Sequence, residues 1–152
     1  MTYSDSLSTN LRELHYSRRI VGWATSQKID SLLALNALDQ AIALRQPHSG
    51  LIVHSDRGSQ FASQAYRDRL RVKKFIQSMS RKGNCYDNAP MESFFKSFKA
   101  EEVYQNSYQT HEEATRAAAN YIERFYNPVR LHSALGYCSP ANYERRESSE
   151  RR

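Results

Sequence analysis

Asp56 follows the apolar run Leu51-Ile52-Val53 and opens the stretch Asp56-Arg57-Gly58-Ser59-Gln60. A carboxylate thus arrives where a short buried strand should end, the place where functional groups gather in α/β sheets. Thirty-five residues separate it from Glu92, which stands among Met91, Phe94, Phe95 and Phe98. Those four apolar residues follow the i, i+3, i+4, i+7 rule and predict the packed face of a helix, with Glu92 beside it. Lys99 comes seven residues after Glu92, two helical turns on, so both point nearly the same way roughly 10 Å apart along the axis. A metal-binding carboxylate and a phosphate-binding cation could share that edge. Each residue also has a plainer role: Asp56 as a cap of the Gly58 turn, Glu92 as an acid favoured near a helix amino terminus, and Lys99 as part of a solvated face.

The elements that must position these groups are legible in the periodicities. Arg19 to Thr25 is rich in strand formers, and Ile29 to Leu44 carries Leu32, Leu35, Leu38 and Ile42 at helical spacings. Breakers at Gln46 to Gly50 precede a second strand, Leu51 to His54; a short basic helix over Ser63 to Val72 and a third strand, Phe75 to Met79, follow. Arg81 and Lys82 lie in a polar loop, after which Asp87 or Asn88 can cap a helix with Pro90 in its first turn, reaching Val103. A further helix runs from Thr110 or His111 to Phe125 and ends at Asn127-Pro128; the residues after Glu144 read as a frayed charged tail. Alternating strands and helices predict an α/β layer architecture with a central sheet.

With 152 residues and 39% hydrophobic content, the chain suits a single core. A formal charge of +6 favours anionic partners such as nucleic acid, although the basic residues are scattered rather than gathered in one tract. Cys85 and Cys138 are far apart and form no C-x-x-C spacing, which argues against a disulfide scaffold or a zinc ribbon and fits a reducing cytosol. No signal-like segment and no apolar run of membrane-spanning length is visible, so a soluble intracellular protein with no membrane partner is expected.

HSDRGSQF, then MSRKGNCYDNAPMESFFKSFKAE, then YNPVRLHSALGYCSPANYE, in this order, resemble the DDE transposases of bacterial insertion sequences, relatives of retroviral integrases. The resemblance runs from about Tyr16 to Glu144. It implies an RNase H-like integrase core, a central mixed sheet with flanking helices, that transfers DNA strands using Mg²⁺ or Mn²⁺, two ions in intact relatives. Asp56 and Glu92 would then be catalytic metal ligands, since hard divalent ions take oxygen donors. Lys99 matches a basic position that contacts transposon-end DNA. Arg81 and Lys82 could add phosphate contacts or simply be solvated loop residues. Tyr126, Arg130 and His132 fall in the matching carboxyl-terminal motif and could equally serve helix packing; His54 reads as a packed or turn histidine. The implied partners are transposon-end and target DNA, together with further copies of the chain or an intact transposase, in a bacterial cytoplasm at the nucleoid.

The amino terminus departs from the family pattern. Relatives carry a first catalytic Asp just before a Thr-Tyr pair, whereas this chain begins Met1-Thr2-Tyr3. Asp5 is the one acid before Glu13 and its surroundings do not match; Leu14 stands where relatives often have Asp. The division expected is therefore an unmatched or degenerate segment, 1–16, the integrase core with its carboxyl-terminal motif, 17–144, and a charged tail, 145–152, with the first strand or strands missing. The leading expectation is a truncated transposase core. A non-catalytic DNA-binding or subunit-poisoning fragment is the alternative, and a ribonuclease-like hydrolase is disfavoured by the flanking motifs.

Overall fold

A computed structural model describes residues 7–8, 16–79 and 89–150. The chain divides into two compact units, one made of Met1–Arg12 with Val21–Ser93, the other of Glu13–Ile20 with Phe94–Arg152. Strands and helices alternate as the sequence predicts. The described strand pairings are one antiparallel pair and one parallel pair.

In the first unit, β1 (Leu7–Ser8) pairs antiparallel with β2 (Ala24–Thr25). Helix α1 (Ser31–Arg45) begins where the Asp30 carboxylate accepts the Leu33 N–H at 2.9 Å, satisfying a donor that the first turn leaves without a partner. It stops at Gln46, a residue in the left-handed conformation whose N–H reaches back to the Ile42 carbonyl. β3 (Ile52–Ser55), α2 (Gln64–Val72) and β4 (Ile76–Met79) form a βαβ unit whose strands are parallel and in register from Ile52–Ile76 to Ser55–Met79. Ser63 caps α2, its hydroxyl accepting from Tyr66 N–H. Val53, Phe61, Tyr66, Leu70 and Phe75 close a core against Ala34 and Leu38 of α1.

Two expectations for this region need correcting. Of the residues at helical spacing on α1, Leu38 is buried and Leu35 and Ile42 pack partly buried against the core, whereas Leu32 is 61% exposed and Leu33, Ala34 and Ala37 complete the buried face. Small residues win that face because the chain at Gly22 runs against it: a Cβ at Gly22 would lie 2.2 Å from the Ala37 carbonyl and 2.7 Å from the Ala41 nitrogen. The strand expected over Arg19 to Thr25 is also shorter, since only Ala24–Thr25 is laddered. Upstream, side chains replace a neighbouring strand: Ile20 N–H donates to Asn127 Oδ1 and Ile20 carbonyl accepts from Asn127 Nδ2, both at 2.9 Å. Trp23 N–H turns to Gln40 Oε1 at 3.3 Å. Every backbone group needs a partner, and here the partner need not be a strand.

In the second unit, α3 (Ala89–Glu101, whose first turn belongs to the first unit) is followed by a short 3₁₀ turn, Val103–Gln105, and by α4 (His111–Asn120), capped by Thr110. The sequence predicts an unbroken helix to Phe125. Instead α4 widens into a π-helical turn, Tyr121–Tyr126, with Asn127 N–H reaching the Ile122 carbonyl at 3.0 Å. The wider turn brings Tyr121 and Tyr126, five residues apart, to one side, which a 3.6-residue turn would not do. After a second 3₁₀ turn, Ser133–Leu135, comes α5 (Pro140–Glu150). The tail expected after Glu144 is thus helical to Glu150. Its anchor is Glu144 itself, which accepts from Ser17 Oγ at 2.7 Å and Arg19 at 2.8 Å, while Ala141 N–H bonds the Asn127 carbonyl at 2.9 Å.

The close approach at Gly22 makes a test. Gly22→Ala should lower the unfolding free energy by about 1–3 kcal/mol, read as a lower urea midpoint at unchanged slope, because the backbone atoms it meets cannot rotate away. An unaltered midpoint would contradict the packing described.

Candidate active site

Asp56 is the first residue after β3, exposed, at the carboxyl end of the strand as the sequence predicts. Its Oδ1 accepts the Gly58 N–H at 2.7 Å. The turn-cap role is therefore real, and it also fixes the carboxylate while Oδ2 stays available to a second partner. Two residues earlier, on β3, His54 places Nδ1 3.0 Å from Ser78 Oγ on the paired position of β4. That contact fits the packed histidine expected.

Glu92 lies in the first turn of α3 and is exposed; Lys99 lies in its last turn and is half-buried. Two turns separate them, so they share one side of the helix to within roughly 20°. The expected apolar face is present, with Phe94 and Phe98 buried and Met91 and Phe95 partly so. Asp56 and Glu92 belong to the same compact unit. Arg81 and Lys82, like Thr2, Tyr3, Asp5 and the expected caps Asp87 and Asn88, lie outside the described residues.

What holds α3 is a network that the motif residues build. Arg130 donates Nε to Glu101 Oε2 at 2.9 Å and NH2 to Glu101 Oε1 at 2.7 Å, a bidentate pair, and also reaches Ser97 Oγ at 3.0 Å. Tyr121 OH adds a 2.6 Å bond to Glu101 Oε2. Ser97 and Glu101 are one turn apart on the side of α3 away from Glu92 and Lys99. Phe94 packs edge-on to Tyr126 with centroids 4.9 Å apart and stacks on Phe98 at 5.9 Å. Tyr126 and His132 meet edge to face at 5.0 Å, and the Arg130 guanidinium lies 5.9 Å from the Tyr126 centroid. Tyr126, Arg130 and His132 thus serve packing, one of the two roles their sequence allowed. Glu101 was missed in the sequence, although a signal was there. It falls at i+7 from Phe94 and i+3 from Phe98, and an acid on an apolar stripe needs a buried partner.

The electrostatics follow from these contacts. Hydrogen bonding to Arg130 holds the Glu101 carboxyl below its ordinary range, against the opposing effect of burial. Burial and the Glu101 carboxylate push the Tyr121 phenol far up, and burial raises Tyr126 to about 12. His132 is depressed to about 4, first by burial and then by the Arg130 and Arg18 charges, and its Nε2 has no hydrogen-bond partner. None of these groups is poised to exchange protons at neutral pH.

Carboxylate oxygens are the donors that Mg²⁺ or Mn²⁺ take, and those of Asp56 and Glu92 are accessible to solvent. Among the described residues no group of three or more His, Cys, Asp or Glu is placed to hold a metal. The two acids fit a hard cation as part of a set, because Mg²⁺ commonly takes one or two carboxylates and completes its shell with water and substrate phosphate.

Two family models, both described as Integrase core domain, match in succession, over residues 14–85 and 92–147. The fold is that of a retroviral integrase core: the catalytic core domain of BIV integrase matches with a TM-score of 0.61 at 19% identity, over 90% of this chain and 85% of that one. The chain belongs to the integrase core family, within the DDE transposases of insertion sequences. It is 45% identical over 133 residues to the transposase for insertion sequence element IS904 of Lactococcus lactis, covering 88% of this chain and 53% of that protein. It is 40% identical over 129 residues to transposase InsF for insertion sequence IS3A of Escherichia coli K12, covering 85% and 45%. The insertion element IS600 uncharacterized 31 kDa protein of Shigella sonnei is 44% identical over 128 residues, covering 84% and 47%. The chain spans about half the length of these relatives. Among the described residues no helix is long and apolar enough to cross a membrane.

The depressed His132 sets a pH window. Below about 6.5 the unfolded imidazole takes a proton that the folded one refuses until about 4, so stability present above pH 6.5 should fall as pH drops through that interval, by up to ~3 kcal/mol. Glu101, depressed in the fold, adds a further loss only below about pH 4.5. Urea midpoints measured from pH 7.5 to 4 check this: His132→Phe should remove the slope between 6.5 and 4.5. A slope that survives the substitution would show that another group carries it.

Proposed function

We propose that this chain is the DNA-handling integrase core of an insertion-sequence transposase, acting on transposon-end and target DNA by metal-dependent phosphoryl transfer. The observation that carries the reading is the family match across nearly the whole chain, with Asp56 at a strand end and Glu92 and Lys99 on one side of one helix. In this reading Asp56 and Glu92 hold Mg²⁺ or Mn²⁺. When bound, the cation supplies Lewis acidity at the scissile phosphate, whose charge otherwise repels a nucleophile. The chain's own part is positional. The Gly58 N–H fixes the Asp56 carboxylate, the helix fixes Glu92, and Lys99 takes a phosphate of the transposon end about two turns away, so that the reacting strand is held in line. No protein nucleophile is needed, because water or a DNA 3′-hydroxyl attacks. Arg81 and Lys82 add phosphate contacts in this scheme. The setting is the bacterial cytoplasm at the nucleoid, with assembly of further copies or of an intact transposase on the DNA.

A second reading, DNA binding without catalysis, is favoured by one observation, the lack of a three-membered acidic cluster among the described residues. One experiment separates the two. Lys99→Ala should weaken binding to labelled transposon-end DNA and reduce the slope of log affinity against log salt by about one unit, whereas Glu92→Gln should leave binding within about twofold. Strand joining in Mg²⁺ or Mn²⁺ that disappears in Glu92→Gln supports the first reading. Binding with no joining by the unaltered chain supports the second, and joining that persists in Glu92→Gln overturns the assignment of that residue.

A further inference from the structure

The βαβ unit has two ends. Asp56 lies at the carboxyl end of β3; at the opposite end of these parallel strands Lys73 and Lys74 close α2 and lead into β4, roughly 13 Å away along the strand. That closing turn is tightly made. Gly50 N–H donates to the Lys74 carbonyl at 2.8 Å, Lys74 N–H to the Arg71 carbonyl at 2.9 Å, and Lys73 N–H to the Arg69 carbonyl at 3.2 Å. Lys74 itself sits at φ 56, in the left-handed region that a lysine seldom enters.

Along α2, Tyr66 and Leu70 are buried, while Arg67, Arg69 and Arg71 are exposed, and so are Lys73 and Lys74 after them. Five cations among residues 67–74 face a single acid of the same segment, Asp68. Arg67 and Arg71 recur at i and i+4 on the outer face of α2, and Lys74 follows just past the cap in the closing turn. Arg71 is paired with Asp68 and Arg69 with Asp39, each at 2.8 Å, and Arg67 NH2 donates to Gln64 Oε1 at 3.1 Å. Such exposed pairs contribute little stability, but they hold the guanidinium forks spread over the surface. A helix carboxyl terminus favours cations for its own sake. That effect fades within a turn, and it accounts neither for Arg67 in the middle of α2 nor for Lys74 beyond the cap.

We infer that the outer face of α2 and its closing turn form a further phosphate-binding surface, at the end of the βαβ unit opposite Asp56, that lies along the backbone of duplex DNA. The inference rests on the reading of the chain as a DNA-handling integrase core. A line of cations without an exposed aromatic on the same helix suits phosphates better than a protein partner, whose interface would centre on aromatic anchors. Contacts of this kind position a duplex and read no sequence.

The test is the salt dependence of binding to a labelled duplex of arbitrary sequence. Combining Arg67→Gln, Arg71→Gln and Lys74→Gln should lower the slope by about 2.7 units if each side chain neutralises one phosphate. Lys99→Ala should subtract its own unit independently. Melting temperature is followed in parallel; if the triple variant does not fold, Lys74→Gln alone should lower the slope by about 0.9. A triple variant that binds like the unaltered chain while Lys99→Ala weakens binding overturns this inference and leaves the proposed function standing. No binding of the unaltered chain even at low salt overturns both. Poly-glutamate binding that the triple substitution abolishes, with duplex binding unaffected, assigns the face to an acidic protein and overturns the inference.

Discussion

The bidentate pair between Arg130 and Glu101 is the constraint on which the presentation of α3 depends. A guanidinium is planar and gives two parallel donors to one carboxylate, so the pair specifies direction as well as distance. Ser97 and Tyr121 close the remaining geometry around it. With Ser97, Glu101, Phe94 and Phe98 committed to packing, α3 has one rotation left to it, and that rotation leaves Glu92 and Lys99 on the open side. The pair is partly exposed, so its contribution to stability is modest. Its value lies in registering the helix.

Side chains do the work of ladders elsewhere in the second unit. The Asn127 amide offers Ile20 a donor and an acceptor at once, as a neighbouring strand would, and its own carbonyl takes Ala141 N–H from α5. Ser17 and Arg19 converge on Glu144, so the segment preceding Ile20 and the first turns of α5 are tied together. The first unit achieves closeness differently. Gly22 and the alanines of α1 let backbone meet backbone, and the core of the βαβ unit supplies the burial that orders β3 and the turn bearing Asp56.

What the sequence disclosed was what repeats locally. The Met91–Phe98 stripe, the strand before Asp56, the helix after Ser63 and the strand that follows it all come from patterns a few residues long, and each stands within a residue of where it was read. The errors share a cause. Leu32 looked like core because leucine at helical spacing usually is; the small face of α1 is chosen by a chain crossing at Gly22, which no local period reports. The Arg19 to Thr25 run has strand composition, yet only its end is laddered, and the backbone of Ile20 is partnered by a side chain more than a hundred residues away. The residues after Glu144 have a tail's composition but are held through the long-range bonds of two acids, Glu144 to Ser17 and Arg19 and Glu147 to Tyr16. At the candidate site, residue types and spacing named Asp56, Glu92 and Lys99, whereas Glu101, which registers their helix, was visible only as an acid on the wrong face.

The chemistry asked of the site is simple in kind: oxygen donors for a hard cation, a cation for a phosphate, and rigid elements to keep both in place. Family membership supplies the expectation, and the exposed carboxylates at a strand end and a helix start supply donors of the right type. The claim at the centre is that Asp56 and Glu92 serve one ion. Titration of ¹⁵N-labelled protein with Mn²⁺ measures this most directly, because the paramagnetic ion broadens the amide signals nearest to it. The account predicts that the amides of Asp56 and Arg57 and those of Glu92 and Ser93 broaden together at the lowest concentrations, that excess Mg²⁺ restores them, and that Glu92→Gln weakens both sets. Broadening confined to one set, or an Asp56 effect untouched by Glu92→Gln, would contradict it.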